Sequence, residues 1–215
     1  MNFKFIYFLR YRFILLLVVC FSCSSSDDEI LVINSGEAQG TYYHIKYMSS
    51  NGKDYNNQID SIIQKVDSSL SIYKDFSLIS KLNNYQNLLV DTLFKSVYIA
   101  AEHVFLQTKG YFDCTVSPLV NAWGFYNQNL DTLPLIDSLR ISLLLKDVGF
   151  QKIELISDSL LLPKNMKLDF NALAQGFTID LIADYFQNMN VINYMIEIGG
   201  EVVAHGKNDR GYVWK

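Results

Sequence analysis

Apolar and polar positions change period several times along this chain. In LVINSGEAQGTYYHIKYM, residues 31–48, apolar runs flank a glycine-containing turn, and Tyr43, Ile45 and Tyr47 alternate with polar neighbours. Period two predicts strand, turn, strand. From 55 to 72 the period lengthens: Ile59, Ile62, Ile63, Val66 and Leu70 fall at helical spacing. A polar segment, SLSIYKDFSLISKLNN, follows. Asp91 or Thr92 can cap a second helix with Leu93, Phe94, Val97, Ala101, Val104 and Phe105 on one face, and Gly110 stops it. A third helix is predicted over about 135–147, with Ile136, Leu139, Leu143 and Leu144 as its stripe. KIELIS, SLLLP and MKLDF are short β-like runs. FTIDLIADYFQNM, starting near Phe177, predicts a fourth helix through Leu181, Ile182, Tyr185 and Phe186. VINYMIEIGGEVVAHGK is strand-rich around a Gly–Gly pair. No unit repeats at a fixed period, which argues against a solenoid or propeller. Helices and strands mix without strict alternation, so the expected class is α+β, a layered sandwich. The final GYVWK reads as the start of another strand, and the chain therefore as a fragment.

The first 23 residues stand apart. Lys4, Arg10 and Arg12 precede an uncharged run from Phe13 to Phe21. A basic segment before a short apolar one is the layout of an export signal; the alternative is an uncleaved N-terminal anchor. Cys23 follows the small Ser22 and precedes the polar SSSDDE, as in a bacterial lipoprotein signal. The expected organisation is a signal over 1–23 ending at a lipidated Cys23, a polar tether over 24–30, and a domain over 31–215. Acylation of Cys23 would hold that domain at a membrane, facing the periplasm or the cell exterior. With Cys20 removed and Cys23 lipidated, Cys114 is left alone and forms no intrachain disulfide; it reads as a small buried hydrophobe.

Composition narrows the function. The chain has 215 residues, is 50% hydrophobic, and can bury a sizeable core. A net charge of −4 provides no basic field for nucleic acid.

Five stretches could carry chemistry. At Gly40–Thr41 a glycine permits close approach and a hydroxyl could donate to a phosphate; taken alone, the pair reads better as an ordinary hairpin turn. Tyr73, where the first helix gives out, could stack on a flat ring or close the core over the helix end. In FDCTVSPLVNAWGF, residues 112–125, Thr115 and Ser117 precede Pro118, which holds its predecessor extended; such a segment could read a nucleotide edge, or lead to an aromatic core plug at Trp123 and Phe125. In DFNALAQGFTID, residues 169–180, a strand ending at Asp169 is expected to pass through small residues into a helix. Amides at such a start attract anions. Loop carbonyls there could bind a hard cation, and Asp180 would fall in the first helical turn. This is neither G-x-x-x-x-G-K-[ST] nor G-x-G-x-x-G. In IEIGGEVVAHGKN, Gly199–Gly200 implies a bulge or a ligand against backbone. His205 there is a possible ligand or base, though a lone strand histidine is more often structural. No Ser-His-Asp signature, His-x-x-x-His pair or CxxC pair occurs.

Taken together the five stretches resemble the FAD:protein FMN transferase (ApbE) family. QGTYYHIKY is similar to its M-G-T-x-Y start, LSIYKDFSLISKLN to its L-S-x-Y-x-x-x-S segment, and FDCTVSPLVNAWGF to its F-D-x-T-V-x-P-L-V-N-x-W-G-F block. DFNALAQGFTID resembles D-x-G-x-x-A-K-G-x-x-x-D, and IEIGGEV resembles [VI]-x-x-G-G-E/D. All five occur in family order over 38–215. The resemblance implies the layered α/β sandwich of the ApbE (T-fold-like) type, with its C-terminal part missing.

It also implies an activity. Such an enzyme splits FAD with Mg²⁺ and attaches FMN, through its phosphate, to a Thr or Ser of an exported or membrane redox protein, releasing AMP. By position, the residues implied to contact FAD are Gln39, Gly40, Thr41, Tyr73, Thr115, Val116, Ser117 and Gln175. Ala172 stands where the family uses a loop oxygen on Mg²⁺. Gln39 replaces the usual Met, and Gln175 the usual Lys, which removes a charge. The family's remaining metal ligands come from a region beyond Val213–Trp214, so the chain is expected to hold the FAD half of a site without its full Mg²⁺ shell. Two other readings stay open: a lipoprotein that binds FAD without catalysis, and an FAD pyrophosphatase releasing free FMN.

Overall fold

The computed structural model describes residues 28–86, 88–125 and 137–215. The expectations for Cys23, for the signal and most of the tether, and for Ile136 lie outside the described residues. The predicted strand–turn–strand is a ten-pair antiparallel hairpin of β1 (Glu29–Ala38) and β2 (Thr41–Ser50). β1 thus begins inside the segment expected as tether. β2 pairs with β5 (Tyr194–Ile198), and β5 with β6 (Glu201–His205), giving an antiparallel sheet ordered β1-β2-β5-β6. Tyr43, Ile45 and Tyr47 are buried, while their neighbours Tyr42 and His44 are exposed. The period-two pattern therefore marks the side of the sheet that faces the helices.

Two helices cover that side. α1 (Asn56–Leu70) buries Ile59, Ile63, Val66 and Leu70. After it come α2 (Leu78–Asn83), inside the segment read as polar, and α3 (Thr92–Gln107), where Asp91 accepts the Phe94 amide at 2.8 Å and caps the start as expected. α4 (Ser117–Ala122) and α5 (Ser138–Leu144) are short. β3 (Glu154–Ile156) and β4 (Ser159–Leu161) form a separate hairpin. The last helix is α6 (Asn171–Asn188).

The described residues bury two apolar clusters, and α1 and α6 serve both. Ile59, Ile63, Ile179, Ile182 and Phe186 pack against the sheet. Val66 and Leu70, with partly buried Leu173, Phe177 and Leu181, pack toward α3 and the β3–β4 hairpin. A helix apolar on two sides belongs in the middle layer of three. The layered α+β architecture is the one expected.

Four local expectations need correcting. α6 starts at Asn171, not near Phe177: the four residues Ala172 to Gln175 are good helix formers, and one glycine costs a helix only about 1 kcal/mol. Asp180 consequently lies in the third turn, not the first. MKLDF forms no strand and joins no sheet; the Asn83 side chain takes both backbone groups of Leu168, donating to its carbonyl and accepting from its amide, each at 2.8 Å. Residues 117–122 are helical with Pro118 in the first turn, where a missing N–H costs nothing, so no extended strand precedes it. Trp123 and Phe125 are exposed and plug no core. Finally, Leu139 and Leu143 of α5 are exposed: helical spacing shows which residues share a face, not that anything covers it. Among the described residues, no helix is long and apolar enough to cross a membrane.

Candidate functional site

Two tight turns meet at one end of the sheet. Gln39 and Gly40 join β1 to β2, both at positive φ (53° and 77°), as a type I′ turn requires. Gly199 and Gly200, at 60° and 93°, join β5 to β6 in the same way, so the glycine pair is a turn and not a bulge. The Gly199 amide donates to the Tyr42 carbonyl at 3.1 Å and fixes the turns side by side. A Cβ on Gly199 would lie 2.9 Å from both Gln175 Nε2 and Thr41 Cγ2. Thr41 and Gln175 therefore reach the same point, one from the hairpin and one from α6.

Gln39 ties the turn to the helices. Its Nε2 donates to Thr178 Oγ1 at 2.7 Å, and the Thr178 hydroxyl passes its own proton to the Ala174 carbonyl. That chain fixes the amide's orientation. Its Oε1 is left buried without a hydrogen-bond partner, a costly state that an incoming donor would relieve.

Three adjoining cavities open here. One, of about 450 Å³, lies between the 39–40 turn, the end of α1 and the start of α6, with Gln39, Gly40, Asp67, Tyr73, Lys74 and Gln175 on its walls. A second, of about 510 Å³, shares Gln39, Gly40, Asp67 and Lys74 and adds Thr41. A third, of about 610 Å³, runs from Tyr73 past Ser117 and Asn121 to Arg140 and Lys167. Each is of small-molecule size. Tyr73, 66% exposed, stands between the first and third, and its hydroxyl accepts from Asn171 Nδ2 at 3.3 Å. Tyr73 thus presents its ring to a groove and closes no core.

The other implied contacts divide. Ser117 lines the third cavity; Val116 sits one residue before α4. Thr115 is wholly buried, and its hydroxyl is engaged within the fold: it donates to Asp113 Oδ1 at 2.6 Å and accepts from the Gly149 amide at 2.7 Å. Asp113 also accepts from the Phe150 amide at 3.1 Å, so the F-D-x-T stretch anchors the 149–150 turn. Its neighbour Cys114 is 2% exposed, and burial pushes its thiol far up, in keeping with a small buried hydrophobe.

The start of α6 differs from the expectation. Asp169 Oδ1 accepts the Asn171 amide at 2.7 Å, and the Phe170 carbonyl accepts those of Leu173 and Ala174 at 2.8 and 2.9 Å. Most of the first-turn donors are already taken, and a carboxylate already occupies the dipole's positive end. Gly176 is helical, and a Cβ there would meet only Glu201 Oε2 at an ordinary contact distance of 3.7 Å. Ala172 is exposed in the first turn, so helix geometry directs its carbonyl at the residue 176 amide. The described residues contain no group of three His, Cys, Asp or Glu side chains able to hold a metal ion. The donor set here does not by itself fit a Mg²⁺ shell. His205 plays a structural part, its Nδ1 2.7 Å from the Ile192 carbonyl.

Charge inside the groove was the feature the sequence pattern did not mark. Burial raises the Asp67 carboxyl above its ordinary value, against the pull of Lys74 and of a hydrogen bond from Gln39. Both residues sit in stretches read only for helical period, or as polar filler around Tyr73.

Residues 39–215 match the profile of the ApbE family. The FAD:protein FMN transferase of Vibrio cholerae is 32% identical over 189 residues, which cover 84% of this chain and 56% of that protein. Its counterpart in Haemophilus influenzae is 32% identical over 221 residues, covering 94% and 62%. The structure of the flavin transferase ApbE from Vibrio cholerae superposes with a TM-score of 0.80 at 30% identity, covering 86% of this chain and 62% of that one. The apo flavinyl transferase ApbE of Pseudomonas stutzeri gives 0.80 at 26% identity, covering 87% and 64%. The chain spans under two thirds of the length of each of these proteins.

Proposed function

Because this chain belongs to the ApbE family, we propose that it provides the FAD-binding part of a flavin transferase that moves FMN from FAD to a protein hydroxyl. In the proposed reaction a Thr or Ser oxygen of the target attacks the FMN-side phosphorus. The bond between the two phosphates breaks, AMP leaves, and the hydroxyl proton is lost. Mg²⁺ is the proposed companion ion; when bound it would neutralise charge on the diphosphate. The resemblance assigns Ala172 to that ion, but its carbonyl is directed at the residue 176 amide, so the described residues do not themselves supply its shell. The proposed target is an exported or membrane redox protein, and a lipid on Cys23 would hold the enzyme at the same membrane.

One observation carries the reading. Gln39, Gly40, Tyr73, Ser117 and Gln175, drawn from four separate sequence stretches, line adjoining cavities joined at Tyr73. Tyr73 offers a ring for stacking on flavin or adenine, Gln175 an amide beside the Gly199 backbone, and Gln39 an acceptor that lacks a donor. A second reading, FAD binding without transfer, is favoured by the absence of a three-residue metal-ligating group among the described residues.

The test is a titration with FAD and Mg²⁺, followed by addition of a target domain carrying an acceptor Thr or Ser. The expected results are a change in flavin fluorescence and a rise in melting temperature, since a ligand at a hundred times its Kd stabilises by about 2.7 kcal/mol. AMP with protein-bound FMN then marks the transferase. AMP with free FMN marks a pyrophosphatase, and binding without AMP marks a carrier. No fluorescence or melting response from a folded sample would overturn all three.

A further inference from the structure

The FAD reading leaves the dinucleotide's two negative charges to be accounted for. The first turn of α6 is poorly placed to do so: the Asn171 amide is committed to Asp169, and those of Leu173 and Ala174 to Phe170. A phosphate arriving there would also meet the Asp169 carboxylate. Gln175 brings an amide and no charge. Glu37, Asp60 and Asp67 line the neighbouring cavity and repel an anion.

Resting on that reading, we propose that Lys74 is the anion-binding residue of this groove, reaching the bridging phosphates of the dinucleotide from the loop after α1. Lys74 lines both the 450 Å³ and the 510 Å³ cavity, and among the described residues it is the one cationic side chain on the walls of either. Its backbone is fixed, accepting the Ser77 amide at 2.9 Å. Its side chain is exposed, and among the described residues it makes no direct ion pair. It neighbours Tyr73, so one short loop would supply a ring for a base or flavin and a cation for the phosphates. Asp67, near the end of α1, acts on Lys74 electrostatically and lines the same two cavities. A phosphate entering there would give Lys74 a charged acceptor with several oxygens.

The test compares the full chain with K74M and K74R by fluorescence titration with FAD and with riboflavin, and by melting temperature with inorganic pyrophosphate. Lys74 is exposed, so both variants should melt as the parent does. K74M is expected to raise the Kd for FAD by roughly ten- to a hundredfold, the range of one charge-assisted hydrogen bond. K74R should restore most of the affinity, and binding of riboflavin, which has no phosphate, should be unmoved. Parental binding of FAD should also weaken with salt, and K74M should flatten that dependence. FAD affinity unchanged in K74M overturns the inference and leaves the FAD reading standing. A parent that ignores FAD but binds pyrophosphate through Lys74 overturns the FAD reading and leaves the inference standing. A parent that binds neither overturns both.

Discussion

Asp54 shows how much a single exposed carboxylate can organise. It precedes α1, accepts the Asn56 amide at 2.9 Å, and also accepts from Asn34 Nδ2 at 3.0 Å and the Tyr47 hydroxyl at 3.2 Å. The Asn56 amide first, then Asn34 and Tyr47, hold its carboxyl below the ordinary 3.8. A carboxylate depressed in the folded state stabilises above its unfolded value, and that contribution disappears as pH falls through the folded one. Asp54→Asn should therefore lower the melting temperature at pH 7 slightly, since water screens an exposed carboxylate. The gap from the parent should narrow as melts are repeated down through pH 3.8. None of this was readable beforehand, because the acid's partners lie on β1 and β2 as well as beside it in sequence. Thr115 teaches the converse: its place in a recognisable motif was legible, but its burial and its two internal hydrogen bonds were not. A motif fixes residue types in order, and only packing decides which of them face outward.

Elements were legible where period and caps agreed. The β1–β2 hairpin, α1, and α3 with its Asp91 cap all follow from local pattern, as do β3 and β4. The start of α6 was missed because Gly176 reads as punctuation, whereas the good helix formers Ala172 to Gln175 before it outweigh its cost. MKLDF was misread because its backbone partners come from Asn83, 85 positions away. At Gly199 the turn imposes a stricter demand than a glycine pattern conveys. Gly199→Ala would place a Cβ at φ 60° and 2.9 Å from Gln175 and Thr41. The left-handed backbone alone costs roughly 1–2 kcal/mol, so chemical denaturation should show a loss of at least that size. Gln175 must move as well, so any ligand response in the groove should fall with it.

At the scale of the whole molecule, two clusters share α1 and α6, and the Asn83–Leu168 pair closes one of them. Asn83→Ala would strand a buried amide and a buried carbonyl, each costing roughly 1–3 kcal/mol. Equilibrium urea unfolding is expected to show about 3 kcal/mol less stability. The α+β class was legible from the mix of periods, and the groove's members from their motifs. The common wall was not, since no local pattern says that residues 39, 74, 175 and 199 are neighbours. That wall has a consequence for biosynthesis. A chain emerging from the ribosome carries the 39–40 turn and the Lys74 loop long before the segment around 171–200 appears. The proposed FAD groove is complete only once α6 has brought Gln175 to the 39–40 turn and the second I′ turn has closed beside the first. A nascent chain should therefore be blind to flavin until the segment through Gly200 has left the ribosome.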